Sequence, residues 1–210
     1  LSGEGVEARR LAVGHYRALE STTFARERVL RQTTPNGTLR LRSHECVLVD
    51  AANDSFLAVV SAEGPNARVT RRVAYLADDR LTTRTAYANG TVRETTRAAV
   101  NASRTPGAYT GRVSLYRQLE SLNVSPAGVR DARGSDGRLY YAATGDPVRG
   151  RAVTYHSVRL VVDEGGVVRS LSVDRAVRFR DGVRLANSTV RYGAVGDAAV
   201  PAPAWADRSR

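Results

Sequence analysis

VVRSLSVDRAVRFR, residues Val167 to Arg180, alternates apolar and polar side chains with a period of two. Val167, Leu171, Val173, Val177 and Phe179 fall on one side of an extended strand, and Ser170, Ser172, Asp174, Arg178 and Arg180 on the other. Such alternation marks a strand with one buried and one wet face, as antiparallel sheets have. Glu164-Gly165-Gly166 before it and Asp181-Gly182 after it are turn chemistry, so the strand belongs to a hairpin array.

The same signature runs back through the chain. From Thr22, the turn signals Pro35-Asn36-Gly37, Ala52-Asn53-Asp54, Gly64-Pro65-Asn66, Asp78-Asp79 and Asn89-Gly90 divide short runs rich in Val, Thr, Leu and Tyr. This predicts an antiparallel meander of about six strands joined by hairpins. Ser135-Asp136-Gly137, Gly145-Asp146-Pro147, Glu164-Gly165-Gly166 and Asp181-Gly182 divide about five more. Two segments have the helical period instead. Ala8, Leu11, Ala12, Tyr16 and Leu19 make one apolar stripe within residues 6–19, and Val113 with Tyr116, and Leu115, Leu119 and Leu122, line a second helix that Pro126 and Gly128 end. About eleven strands in one mainly-β, α+β domain must curl, because twisted open sheets rarely pass about ten strands without bending. The expected result is a trough with an N-terminal and a mid-chain helix packed in it, spanning residues 1–203, with 204–210 as a C-terminal tail.

Composition narrows the setting. The chain of 210 residues contains no Ile, Met or Lys, so its core is built from Val, Leu and Ala and every basic side chain is Arg, the mark of a GC-rich genome. An all-arginine usage is therefore weak ground for arginine-specific recognition. A net charge of +11 attracts polyanions. The arginines are spread over nearly every segment and no aromatic-rich RNP motif accompanies them, so nucleic acid is not the expected partner. Opening on Leu-Ser-Gly-Glu-Gly without Met, the chain reads as a trimmed form from which a signal segment has been removed. No run approaches the roughly eighteen apolar residues needed to cross a bilayer, so this portion is expected to be soluble by itself and any membrane tether to lie outside it, at the N-terminus.

Six of the seven asparagines stand two places before Ser or Thr: Asn36, Asn53, Asn89, Asn101, Asn123 and Asn187. Asn-Gly-Thr at a hairpin needs no sugar, because Asn favours turns and Thr favours strand starts. That accounts for Asn36 and Asn89 but not for Asn101, Asn123 and Asn187. The pattern predicts glycosylation at most of these sites and an extracytoplasmic, cell-surface location. Asn187 falls inside a predicted strand, and Pro126 follows the site at Asn123.

The single Cys46 permits no internal disulfide or multi-cysteine metal site. In His44-Glu45-Cys46-Val47-Leu48-Val49 it reads as a buried small hydrophobe in mid-strand; the alternative is a thiol–imidazole pair with His44, which shares its face.

Leu11 to Phe24 (opening helix into strand), Val161 to Arg169 (strand, turn, strand) and Arg191-Tyr192-Gly193-Ala194-Val195-Gly196 followed by Pro203-Ala204-Trp205 resemble a family of haloarchaeal cell-surface lipoproteins, and in architecture the chain is similar to the LolA and LppX/LprG lipoprotein-carrier group. The resemblance implies a half-open antiparallel barrel of about eleven strands, lidded by helices on its concave face, with a cavity for acyl chains. It also implies an N-terminal lipid-modified cysteine, a role that Cys46, well inside the domain, does not fill. Haloarchaeal surface proteins are usually acidic, whereas this chain is strongly basic, which points to a partner of negative charge.

Two functions follow. As a carrier of a lipid or other hydrophobic ligand, the chain would line its concave side with Leu171, Val173, Val177, Phe179 and Leu185, unless the helices fill the trough and make these residues core. As a surface interaction module, it would bind an acidic surface glycoprotein or anionic headgroups through Arg178, Arg180 and Arg184, which share a face if the Asp181-Gly182 turn preserves parity, with Arg40 and Arg42 as a second row. An enzymatic role, a cofactor and a metal are not expected: His15, His44 and His156 lie in different segments, and no G-x-S-x-G, H-E-x-x-H, P-loop or dinucleotide fingerprint is present.

Overall fold

The computed structural model describes residues 8–99, 106–120, 122–123, 129–133, 139–147, 153–180 and 182–206, with backbone alone between 120 and 156. The elements in chain order are α1 (Ala8–Leu19), β1 (Thr23–Thr33), β2 (Leu39–Asp50), β3 (Ser55–Glu63), β4 (Val69–Ala77), β5 (Arg80–Tyr87) and β6 (Val92–Ala98). The mid-chain helices α2 (Pro106–Tyr109) and α3 (Arg112–Glu120) follow. The last strands are β7 (Leu122–Asn123), β8 (Val129–Arg133), β9 (Leu139–Pro147), β10 (Val153–Asp163), β11 (Val168–Phe179) and β12 (Gly182–Gly193).

Nine strands in the order β6-β5-β4-β3-β2-β1-β12-β11-β10 make the frame of a curved, unclosed antiparallel sheet, and β9, β7 and β8 extend its far edge. The expected meander is therefore present, though strand number differs from the expected eleven: the frame has nine, and the whole sheet among the described residues twelve, with β8 off its main path. Gly145-Asp146-Pro147 does not divide strands but ends β9. Asp78 and Asp79 both take left-handed backbone angles, which give the β4–β5 hairpin the twist its strands require. Asn101, Pro126, Gly128, the Ser135-Asp136-Gly137 signal and Asp181 lie outside the described residues.

Pleat parity sorts the described side chains of the frame between two faces. On the helix-bearing face each of the first five strands buries its apolar residues towards one end: Phe24 in β1, Val47 and Val49 in β2, Phe56 and Ala58 in β3, Ala74 and Leu76 in β4, and Leu81 in β5, which also buries Thr85 further along. Leu19 and Tyr109 close over this row, and the Tyr109 ring meets Phe56 edge-on at 4.8 Å. A second cluster joins Ala12 of α1 and Leu115 and Leu119 of α3 to Val158, Leu160, Val168, Leu171 and Val173. Fully burying one such side chain stabilises the fold by about 1.5–3 kcal/mol. Val113, expected on the apolar face of the mid-chain helix, is 61% exposed, and Leu122 belongs to β7.

One polar group ties the helices to the sheet. His15, on the buried stripe of α1, accepts a hydrogen bond at Nδ1 from the Val168 amide (3.1 Å) and donates from Nε2 to the Thr110 carbonyl (2.9 Å), where the Tyr192 hydroxyl also donates (2.9 Å). Burial pushes its pKa down to about 4, the Thr110 bond opposing. The chain must turn sharply to present that carbonyl, and Gly111 does so at φ +74, where a Cβ would also collide with the Tyr192 hydroxyl. This turn splits the expected mid-chain helix into α2 and α3.

Candidate anion-binding face

The helices cover one end of their face and leave the other open. The registers place a single cross-strand line just past the buried row: Arg93 (β6), Thr85 (β5), Arg72 (β4), Val60 (β3), Glu45 (β2), Arg28 (β1) and Val190 (β12). Arg26 and Arg97 flank it on the same face, as does Arg175, whose partner in β12 is Ala186. Beyond the line, towards the open end, lie Leu30, Leu41 and Val177, all half-buried, and Phe179, 38% exposed, with the Arg184 guanidinium stacked 4.1 Å from its ring centre.

Charge divides between the two faces. The five carboxylates of β1–β6 are Glu27, Glu45, Asp50, Glu63 and Glu94, and parity puts all but Glu45 on the helix-free face. Arg26, Arg28, Arg72, Arg93 and Arg97 of the same strands all point to the helix-bearing face. Arg26 takes the one carboxylate, bonding Glu45 at 2.9 Å with both side chains largely buried. Burial pushes the Arg28 guanidinium pKa down, the neighbouring charges of Arg26 and Arg175 add to this, and Glu45 opposes it. Among the described residues, the Nε atoms of Arg26, Arg72 and Arg175 are buried without a hydrogen-bond partner. A buried donor left unpaired costs about 1–3 kcal/mol, more when charged, so an acceptor at this face would be favourable.

The residues singled out from the sequence divide accordingly. Leu171 and Val173 are core, 5% and 2% exposed. Val177 and Phe179 share their face at its open end. Leu185 is on the opposite face: the hairpin pairs Phe179 with Gly182, and this two-residue loop reverses parity between β11 and β12. For the same reason Arg184 faces the helix-bearing side while Arg178 lies on the other, so the expected trio with Arg180 does not form. Arg40 sits where the β1–β2 register shifts, and Arg42 pairs with Glu63 at 3.5 Å on the helix-free face.

Cys46 is exposed, not buried, because Val47 and Val49 take the core positions of β2. His44 does share its face, and His44 Nε2 lies 2.8 Å from Glu27 Oε1 and 3.5 Å from Cys46 Sγ. A nucleophile–base pair needs the two ring nitrogens to serve two partners; here one nitrogen meets both. Burial and the charges of Glu27 and Glu45 push the thiol pKa up, keeping it protonated. Asn36, Asn53, Asn89 and Asn187 are all exposed, the first three at hairpin tips. Asn89 Oδ1 accepts from the Thr91 amide at 3.1 Å, the Asx-turn geometry that explains an Asn-Gly-Thr hairpin without a sugar, and Asn36 makes a longer version to Thr38 at 3.4 Å. Asn187 Nδ2 donates to Asp174 Oδ1 at 2.6 Å. Asn101 is outside the described residues, and Asn123 is described by its backbone in β7 only.

The arginine line escaped sequence reading, although it was signalled. Phe24, Arg26, Arg28 and Leu30, and Leu171, Val173, Arg175 and Val177, occupy successive same-face positions, so an arginine standing in an apolar series was the available cue.

No family model matches the chain, and no curated protein matches it at a significant level. Solved structures with a similar course include a DUF1329 family protein from Desulfovibrio piger, 9% identical, with 95% of each chain covered and a TM-score of 0.34. LprF from Mycobacterium bovis is 11% identical, over 95% of this chain and 99% of that one, with a TM-score of 0.48. A chain of the Pseudomonas aeruginosa MucA/MucB complex is 14% identical, over 98% of this chain and 61% of that one, with a TM-score of 0.41. At scores below 0.5 these likenesses say nothing of ligand or activity. No helix among the described residues is long and apolar enough to cross a membrane.

Proposed function

We propose that the protein binds an anionic amphiphile in the open half of its helix-bearing face, outside the cytoplasm, as a LolA-like half-barrel with a shallow trough. The observation that carries this reading is the uneven placing of the carboxylates: four of the five in β1–β6 lie on the helix-free face, so five arginines share one carboxylate on the other, and the Nε atoms of Arg26, Arg72 and Arg175 lack a hydrogen-bond partner beside a half-buried apolar strip. The anionic head would sit over Arg28 and Arg175, and the apolar part over Leu30, Leu41, Val60, Val177 and Phe179. Arginine suits an anionic oxygen group because its planar fork donates two parallel bonds and stays charged. The sequons, which we propose are mostly glycosylated, support the extracytoplasmic setting; the intact mass of native protein reads their occupancy.

Oleate and its uncharged monoglyceride, titrated into wild type and an Arg28→Gln/Arg175→Gln variant, test the reading. Losing a charge-assisted bond worth about 1.5–3 kcal/mol weakens binding roughly ten- to a hundredfold. The wild type is expected to prefer oleate and the variant to lose that preference. Equal affinity of the two proteins for oleate would refute the reading.

A further inference from the structure

We infer that a second, separate groove on β4–β6 is a binding site for a phosphate monoester. Arg72, Arg93 and Arg97 stand around Thr83, Thr85 and Thr95, with Tyr87 at one end and Ala74 and Leu81 in the floor, lining an open groove of about 420 Å³. The registers give it three parallel rows, Arg72–Thr85–Arg93, Ala74–Thr83–Thr95 and Leu76–Leu81–Arg97. Neighbouring strands lie about 4.8 Å apart, so Arg72 and Arg93 rise on either side of Thr85 with two strand spacings between them. An oxyanion resting over the Thr85 hydroxyl is within reach of both guanidiniums, and Arg97 closes the site along β6.

Among the described residues, no carboxylate lines this groove. Glu94, the one acid of β6, lies between Arg93 and Thr95 in sequence but on the opposite face, and Thr82 and Thr96 bond each other there at 3.1 Å. The pleat therefore holds the Glu94 carboxylate behind the sheet. Three guanidiniums and three hydroxyls offer more donors than one carboxylate can take up. A phosphate monoester has three terminal oxygens and about −1.5 to −2 charges at neutral pH, and the groove falls within the usual 300–1,000 Å³ of small-molecule clefts. Val60 of β3, the near edge of the amphiphile trough, stands between Arg72 and Glu45, so the groove's own arginines are not the Arg28 and Arg175 of that trough.

Titration calorimetry at low salt with glycerol 3-phosphate, inorganic phosphate, succinate and vesicles containing phosphatidic acid tests the assignment. Saturable one-to-one binding of glycerol 3-phosphate is expected, tightening as pH rises through about 6, where the second phosphate proton leaves. An Arg93→Gln/Arg97→Gln variant should bind at least tenfold more weakly, while Arg80→Gln/Arg84→Gln, the same charge change on the opposite face, should bind as wild type. All four positions are exposed, so both variants are expected to melt like the parent. Binding of phosphatidic acid vesicles but not of the soluble ester would assign the same chemistry to a lipid headgroup. Equal loss in the two variants, succinate binding as tightly as the ester, or no binding of either phosphate source would overturn the site. The Arg28→Gln/Arg175→Gln variant, retaining this affinity while losing oleate, separates its failure from that of the amphiphile trough.

Discussion

The two faces of this sheet are made from the same strands and opposite chemistry. On the helix-free face of β1–β6, Glu27, Asp50, Glu63 and Glu94 alternate with Arg31, Arg42, Arg71, Arg80 and Arg84, and pairs such as Arg42 with Glu63 form at the surface. The helix-bearing face has an apolar end sealed by α1, α2 and α3, and its five arginines of these strands, Arg28, Arg72 and Arg93 just past the buried row and Arg26 and Arg97 level with it, share one carboxylate. A surface that only needed to stay dissolved would mix its charges on both sides. Keeping four of the five carboxylates behind the pleat leaves guanidinium donors on the helix-bearing face unpaired, which lowers stability.

The sealed end should give the largest difference. Phe56→Ala removes a fully buried ring from the core and is expected to cost about 3–5 kcal/mol in urea unfolding, whereas Val92→Ala on the exposed edge strand should stay within about 0.5 kcal/mol. Next comes acid. His15 folds neutral, with its pKa lowered from 6.5 to about 4, so its stabilisation is whole above pH 6.5, shrinks as pH falls and is gone near 4, on the order of 3 kcal/mol in all. A His15→Gln variant should lack that slope; an identical pH profile in the two proteins would show that the imidazole is not the acid-sensitive group. The smallest effect compares one substitution on both faces. Glu45→Gln strands Arg26 in a largely buried pair and should cost about 2 kcal/mol, short of the 3–5 kcal/mol for sealed pairs. Glu63→Gln breaks a pair whose side chains are both 63% exposed and should cost less than about 0.5 kcal/mol. Similar values for the two would erase the asymmetry between the faces.

Much of the frame was legible because hairpins announce themselves locally. Pro35-Asn36-Gly37, Asp78-Asp79 and Asn89-Gly90 all turn where their chemistry requires, and the period-two runs between them are strands. Parity within a strand was legible too; parity across a turn was not. Leu185 and Arg184 exchanged faces because the two-residue loop pairs Phe179 with Gly182, a register set by strand pairing and not by the residues' own preferences. His15 was hidden for another reason. It stands three residues after Ala12 and four before Leu19, on the buried stripe, but reads as polar until Thr110 and Val168 arrive from 95 and 153 residues away. The arginine line depended on seven strands in register, which no single strand reveals.

The order of the frame leaves one seam. Every neighbouring pair within it is joined by a short hairpin except β1 with β12, where Ala25 meets Gly193 and a loop of about 170 residues must close. Loop closure at that length carries an entropic toll of about 4–5 kcal/mol that the hairpins largely escape. The expected folding order is therefore two independent meanders that zip together last, and pulse-labelled hydrogen exchange showing β1 amides protected from β12 before the hairpins form would contradict it. Because Arg28 and Arg175 come from opposite sides of that seam, the basic trough does not exist until the two halves of the chain have met.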